Sequence, residues 1–115
     1  MDIRALQDKL AKFAADRDWE QFHSPKNLAM ALAAEAGELL EVFQWLSEND
    51  SAALDPDQQQ AAAHELADIL IYLLRLADRL DIDLDAAVAD KMRINAAKYP
   101  VALARGNAIK ADRRD

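Results

Sequence analysis

The chain has 115 residues, 52% of them hydrophobic, with only two glycines and three prolines, a composition typical of one small helical domain. A formal net charge of −7 argues against a general nucleic-acid binder, because such proteins present a basic face to phosphates. The absence of cysteine excludes a disulfide framework, a thiolate zinc site and a cysteine nucleophile. We expect a cytoplasmic protein without a membrane partner, since neither a secretory signal nor a run of 18 apolar residues is found.

Four amphipathic helices are predicted, each with apolar side chains three or four residues apart. Three of them begin at a capping side chain, and in two of these a proline follows at the first helical position. Polar residues 48–51 are predicted to be a turn, and residues 19–23 a connection. The predicted helical spans are about residues 2–18, 24–47, 55–80 and 83–99.

The predicted domain covers residues 1–105, and residues 106–115 form a charged C-terminal tail. The segment after Pro100 is expected to be loosely ordered or to form an arm onto a neighbouring subunit. A chain this short buries a limited share of its surface, which favours association with further copies of itself.

Two consecutive helices each carry a pair of carboxylates three residues apart. Glu35 lies within the apolar arc of the second helix, with Glu38 at the edge of that arc. Glu65 and Asp68 border the apolar seam of the third helix. That predicted seam consists of Leu66, Ile69, Leu70, Leu73, Ala77 and Leu80.

A divalent metal ion explains why four acids border apolar surfaces. An uncompensated carboxylate is costly there, and four of them would repel one another. The ligand set is all oxygen and lacks the Glu-x-x-His of di-iron bundles, so it favours Mg²⁺, with Mn²⁺ as a substitute. The alternative is that these are ordinary solvated acids, as most isolated Glu-x-x-Glu pairs are.

Further polar and aromatic side chains suit a phosphorylated substrate. Lys91, Asn95 and Lys98 form one stripe of the fourth helix that can hold phosphates, and Tyr99 follows it. Other candidates can stack on a base or hydrogen-bond to it, namely Trp19, His23, Asn27, Trp45 and Tyr72. The alternatives are a solvated lysine face, core positions for the aromatic residues, and capping or helix-closing roles for the others.

As an ordered set, five motifs resemble those of the MazG-like, all-α nucleotide pyrophosphohydrolase superfamily, and more closely its dCTP pyrophosphatase branch. The resemblance spans about residues 5–105. The motifs lie at residues 17–27, 35–39, 43–45, 65–72 and 91–100.

The resemblance implies a four-helix MazG-like bundle completed by dimer or tetramer assembly, with sites built between subunits. It also implies Mg²⁺-dependent hydrolysis of a deoxynucleoside triphosphate, dCTP or a modified dCTP, to the monophosphate and pyrophosphate. The implied metal ligands are Glu35, Glu38, Glu65 and Asp68. The implied base pocket contains Trp19, His23, Trp45 and Tyr72, and the polyphosphate side contains Asn95 and Lys98.

Catalytic roles are assigned to Glu35 and Glu38, with Glu38 orienting the attacking water, and Asp68 is assigned to substrate as well as metal. Two alternatives stay open. One is a broad-specificity or dUTP-directed member of the same superfamily. The other is a non-catalytic helical interaction module, which would explain the apolar seams but not the acids within them.

Overall fold

The structure, a computed structural model, describes residues 1–113, and every regular element in that range is helical. This confirms the predicted all-α class and the order of the four long helices. No helix in the described range combines the length and apolar character that a membrane crossing requires. The α-helices are α1 (Ile3–Asp16), α2 (Pro25–Phe43), α3 (Glu48–Ser51), α4 (Pro56–Arg79), α5 (Leu84–Lys98) and α6 (Val101–Ala104), with 3₁₀ turns at Glu20–Phe22 and Ala111–Arg113.

Capping chemistry fixes the starts of α2 and α4 as predicted. Ser24 Oγ accepts the backbone N–H of Asn27 at 3.2 Å. At α4, the Asp55 carboxylate accepts the N–H of Gln58 at 2.8 Å, and the Gln58 side chain accepts the N–H of Asp55 at 3.0 Å. Each such cap contributes about 1 kcal/mol.

The segment after α2 differs from the prediction. The helix ends at Phe43 rather than near residue 47, and residues 48–51 form the one-turn helix α3 rather than a turn. The physical reason is a second cap, because Ser47 Oγ accepts the N–H of Asp50 at 3.1 Å.

The C-terminal segment also has more structure than predicted. It contains α6 directly after Pro100 and a 3₁₀ turn at Ala111–Arg113. The last two residues of the predicted tail, Arg114 and Asp115, lie outside the described residues. The predicted boundary at residue 105 stays a prediction.

Residues Met1–Asp81 and Ile82–Asp115 form two compact units. In the first unit α2 packs along α4, and α1 lies against α4. Ala14, Leu28 and Leu74, one from each of these helices, are each only 1% exposed, and they mark the core. The second unit contains α5, α6 and the 3₁₀ turn that follows them.

The buried face of α4 lies further round the helix than predicted. Leu66 and Leu80, assigned to the seam, are 56% and 47% exposed, whereas Arg75 is buried beside Leu74. Contacts with α1 as well as α2 explain the difference, because they cover a second face of α4. One of these contacts is polar, since Gln7 Nε2 donates to the backbone oxygen of Leu74 at 3.0 Å.

Replacing Leu74 with alanine is expected to lower the free energy of unfolding by about 3 kcal/mol, because the side chain is fully enclosed and its removal leaves a cavity. Urea titration followed by circular dichroism measures the loss. Leu80→Ala, at the half-exposed end of the same helix, serves as the matched control and should cost less than half as much. Equal losses would contradict the burial described for Leu74.

Candidate active site

The packing of α2 along α4 brings three of the four predicted carboxylates together. Glu35 and Glu38 are one turn apart on α2, and Glu65 approaches them from α4. One carboxylate oxygen from each residue lies within 4.8 Å of the other two. This acidic cluster, Glu35, Glu38 and Glu65, brings together oxygen ligands of the kind that Mg²⁺ prefers.

Two oxygens of the acidic cluster are buried without compensation. Oε2 of Glu35 and Oε2 of Glu65 are buried and have no hydrogen-bond partner among the described residues. The pKa of Glu65 is raised to about 7, first by hydrogen bonding with Glu35, then by burial, then by hydrogen bonding with Glu38, and last by the negative charges of both residues. Orphaned carboxylate oxygens and a raised pKa both indicate missing positive charge, so the cluster fits a divalent cation.

Asp68 lies outside the acidic cluster and borders a neighbouring cavity. It is one turn along α4 from Glu65, and its role as a fourth metal ligand stays a prediction. The cavity has a volume of about 110 Å³. Its wall combines apolar side chains of α1 and α4 with Trp19, His23, Asp68, Tyr72 and Arg75, and we call it the aromatic cavity.

The end of α1 holds Trp19 in the wall of the aromatic cavity. Asp18 has a left-handed backbone (φ 55°), which lets the N–H of Trp19 donate back to the oxygen of Ala14 at 2.9 Å. The indole then packs edge-on against Phe13, with ring centroids 5.8 Å apart. Residues 19–23, predicted as a plain connection, are therefore a structured corner.

His23 lies between Trp19 and α4. Its ring centroid is 6.3 Å from that of Trp19. The pKa of His23 is lowered, first by burial and then by the positive charges of Arg75 and Arg79, while Glu20 acts in the opposite direction. The imidazole is therefore favoured in its neutral form.

Arg75 is a site residue that the sequence analysis missed. It is 4% exposed, and its Nη2 lies 3.5 Å from His23 Nδ1. A signal was available, because Asp68, Tyr72 and Arg75 fall on one stripe of α4 at positions i, i+4 and i+7. A buried cation on such a stripe is as unusual as the carboxylates at apolar surfaces from which the metal site was predicted.

Two predicted residues lie elsewhere in the structure. Trp45 is 88% exposed, beyond the end of α2, and does not line the aromatic cavity. Asn27 Nδ2 donates to the backbone oxygen of Phe22 at 3.1 Å, which ties the 3₁₀ turn to the start of α2. Substrate-binding roles for both residues stay predictions.

The second unit brings the predicted phosphate-side residues together. Lys91, Asn95, Lys98 and Tyr99 border an open cleft of about 630 Å³. Lys110, which the sequence analysis did not select, borders the same cleft. It is brought there because Tyr99 Oη accepts the backbone N–H of Ala111 at 3.1 Å.

The fold and site define a class of protein, namely small all-α proteins that carry an acidic, metal-competent cluster on a central helix pair. The sequence profile of the MazG-like family matches residues 30–112. The chain belongs to the MazG-like family.

Known proteins similar to this chain include enzymes of nucleotide hydrolysis. It is 51% identical over 111 residues to dCTP pyrophosphatase 1 of Mus musculus and 49% identical to that of Homo sapiens. Each alignment covers 95% of this chain, and the chain spans 64% of the length of these curated relatives. The crystal structure of a pyrophosphatase from Archaeoglobus fulgidus matches with a TM-score of 0.80 and 41% identity, covering 84% of this chain and 91% of that chain.

Proposed function

We propose that this chain is a Mg²⁺-dependent nucleoside triphosphate pyrophosphohydrolase that converts dCTP or a modified dCTP to the monophosphate and pyrophosphate. The observation that carries the proposal is the position of the acidic cluster beside the aromatic cavity. Glu65, Asp68 and Tyr72 lie on successive turns of α4, so one helix links the two features. The names of the mammalian and archaeal relatives support the same chemistry.

The acidic cluster would hold Mg²⁺ through Glu35, Glu38 and Glu65, with Asp68 as the proposed fourth ligand. When bound, the ion supplies positive charge that stabilises the phosphate oxygens as negative charge develops on them. Glu38 is the exposed member of the cluster, so its carboxylate can orient a water molecule and accept a proton from it. The water oxygen bonds to the α-phosphorus, the bond from that phosphorus to the α,β-bridging oxygen breaks, and pyrophosphate leaves.

The aromatic cavity would bind the base, and the cleft with Lys91, Asn95, Lys98 and Tyr99 is proposed to hold phosphate oxygens. Trp19 supplies a large ring face in the cavity wall. Tyr72 and His23 each add a ring to the same wall, and each ring carries atoms that can hydrogen-bond to a base. Trp45, exposed here, is proposed to join a base pocket from a neighbouring subunit.

Replacing Trp19 with alanine is expected to raise KM for dCTP about tenfold and to change kcat little, because stacking on an aromatic ring contributes about 1–3 kcal/mol per base. Steady-state kinetics with dCTP, dTTP and dATP measures this effect. Phe22→Ala, in the same corner but outside the cavity wall, is the matched control. An unchanged KM would remove Trp19 from the pocket.

One assay tests the reaction, the bond that is cleaved and the substrate preference together. All common deoxynucleoside triphosphates and several modified cytosine nucleotides are incubated with the protein and Mg²⁺, and the products are identified by chromatography. We expect dCMP and pyrophosphate, no reaction in EDTA, and no reaction with Glu65→Gln. Release of orthophosphate would contradict the proposed bond cleavage. A preference for dUTP would favour the dUTP-directed member of the superfamily. The absence of both Mg²⁺ binding and turnover would favour the non-catalytic interaction module.

A homodimer or homotetramer is proposed as the functional assembly. Large apolar side chains are exposed on both central helices of the first unit, including Met30 (54%), Leu40 (60%) and Leu66 (56%). Light scattering coupled to size-exclusion chromatography should give two or four times the chain mass of 12.8 kDa, and a monomer at micromolar concentration would contradict the assembly. A cytoplasmic location stays a prediction.

A further inference from the structure

A buried guanidinium without a close carboxylate borders the aromatic cavity. Arg75 is 4% exposed, and its Nε has no hydrogen-bond partner among the described residues. The nearest carboxylate is Asp78, whose oxygen is 3.9 Å from Nη1 and beyond hydrogen-bond distance. Asp78 also accepts from Nη1 of Arg4 at 3.1 Å. A cation buried with so little compensation indicates a role besides packing.

A hydrogen bond between Arg75 and His23 Nδ1 is possible with only one tautomer of the neutral imidazole ring. Arg75 Nη2 is 3.5 Å from His23 Nδ1. A guanidinium has only donors, so a hydrogen bond at this contact requires His23 Nδ1 to be the acceptor and to carry no proton. In the neutral ring the proton is then on Nε2, and Nε2–H becomes the hydrogen-bond donor that His23 can offer.

We propose that Arg75 is a positioning residue that fixes the Nε2–H tautomer of His23, so that His23 donates a hydrogen bond to an acceptor atom of the bound base. The part about the base rests on the proposed function, whereas the tautomer does not. We assign Arg75 to act through His23, because the residue is only 4% exposed and its Nη2 faces the imidazole.

The charged groups around His23 favour the neutral ring that this role requires. From α4, Arg75 and Arg79 both lower the pKa of His23, and from the 3₁₀ turn only Glu20 raises it. Burial is the largest influence and also lowers the pKa. The part of α1 that borders the cavity is apolar, and Asp68 is the carboxylate in the wall.

A fixed donor at His23 and an acceptor at Asp68 give the cavity wall a defined arrangement of hydrogen-bonding groups. The pairing edge of cytosine presents an acceptor, N3, beside a donor, the exocyclic amine. Uracil and thymine present a donor, N3–H, beside an acceptor, O4. A site with fixed donors and acceptors rejects the base with the opposite order, because buried polar groups are then left unpaired. Arg75 thus contributes to base specificity indirectly, because it fixes the tautomer of His23.

Histidine ring NMR tests the tautomer directly and without substrate. The chain has two histidines, and the exposed His64 serves as an internal reference. In metal-free wild-type protein at pH 8, long-range ¹H–¹⁵N spectra should show His23 with an unprotonated Nδ1 and a protonated Nε2. A proton on Nδ1 of wild-type His23 would overturn the proposal, and that result requires no variant to fold.

Variants of Arg75 test the cause of the tautomer. Arg75→Met removes the donor and should give His23 a mixture of tautomers resembling that of His64. Arg75→Lys retains a donor-only group and should preserve the wild-type spectrum. Arg79→Met is the matched control one turn along α4 and should leave the tautomer unchanged. An unchanged spectrum in Arg75→Met would overturn the proposal.

Kinetics tests the consequence for the base. Arg75→Met should raise KM for dCTP about fivefold, the effect of losing one neutral hydrogen bond, and should leave kcat nearly unchanged. The preference for dCTP over dUTP should fall in proportion, and Arg75→Lys should restore it. A shifted tautomer with an unchanged KM would overturn the link to the base. If the wild-type protein hydrolyses no deoxynucleoside triphosphate, the proposed function fails, while the NMR result still decides the role of Arg75.

Discussion

Replacing Glu38 with glutamine is expected to lower kcat for dCTP hydrolysis about 10²- to 10⁴-fold at saturating Mg²⁺. Glutamine keeps the size and shape of the side chain but cannot accept a proton from the attacking water. Glu38 is the exposed member of the acidic cluster, whereas Glu35 and Glu65 each bury an oxygen, so Glu38 is the carboxylate that solvent water can reach. Steady-state rates measured over a Mg²⁺ titration separate lost catalysis from weakened metal binding.

The matched control for this substitution is Glu41→Gln. Glu41 follows Glu38 by three residues on α2, is exposed, and does not belong to the acidic cluster. The control removes the same charge from the same helix and should retain near-normal turnover. Near-normal turnover of Glu38→Gln at saturating Mg²⁺ would show that another group directs the water.

In EDTA, the free energy of unfolding is expected to fall as pH rises from about 4.5 to about 7, and Mg²⁺ is expected to abolish that fall. The pKa of Glu65 is about 7 in the folded chain and near 4.5 for an ordinary glutamate. Between these values the folded protein retains a proton that the unfolded chain has lost. Raising the pH therefore removes stability that is fully present below pH 4.5.

Mg²⁺ should change both the size and the pH dependence of stability. At a concentration about 1,000 times its dissociation constant, a ligand specific for the folded state adds roughly 4 kcal/mol to the free energy of unfolding. Because Mg²⁺ held at the acidic cluster would replace the proton on Glu65, Mg²⁺ affinity should increase with pH up to about 7. Urea unfolding at several pH values, with EDTA or Mg²⁺, measures both effects.

Glu65→Gln provides the comparison that isolates this contribution. The variant removes the titrating group, so in EDTA its stability should no longer fall across the window from about pH 4.5 to about 7, and Mg²⁺ should stabilise it far less. His23 contributes with the opposite sign, since its pKa is lowered and stability rises with pH near its ordinary pKa of 6.5. Identical pH profiles for wild type and Glu65→Gln would show that Glu65 carries no retained proton.

Local signals in the sequence predicted the helices and the acidic cluster. Ser24 and Asp55 act through backbone groups three residues away, so their capping roles can be recognised without knowledge of the tertiary fold. The carboxylates were recognisable because two pairs at the same spacing border apolar surfaces on consecutive helices. Packing of α2 along α4 then brought three of the four acids together, and Asp68 lies beside the aromatic cavity instead.

Residues whose burial depends on a distant helix could not be predicted in this way. Gln7 looks like a solvated side chain in sequence, and it is buried where α1 meets α4, with its Nε2 donating to the backbone oxygen of Leu74. Trp45 is 88% exposed beyond the end of α2, and only the assembly proposed above would supply a surface to cover it. Neither the burial of Gln7 nor the exposure of Trp45 leaves a periodic signal within one helix.

The anchoring of α1 has a consequence for how this fold can diverge between lineages. Helix α1 and the corner after it supply Phe13 and Trp19 to the aromatic cavity, and Gln7 fastens the helix to α4 through a backbone oxygen. The acidic cluster, in contrast, lies wholly on α2 and α4. Mutations in the first 23 residues can therefore reshape the aromatic cavity without changing a residue of the acidic cluster. On the proposed function, paralogues with new nucleotide preferences should differ first in that segment.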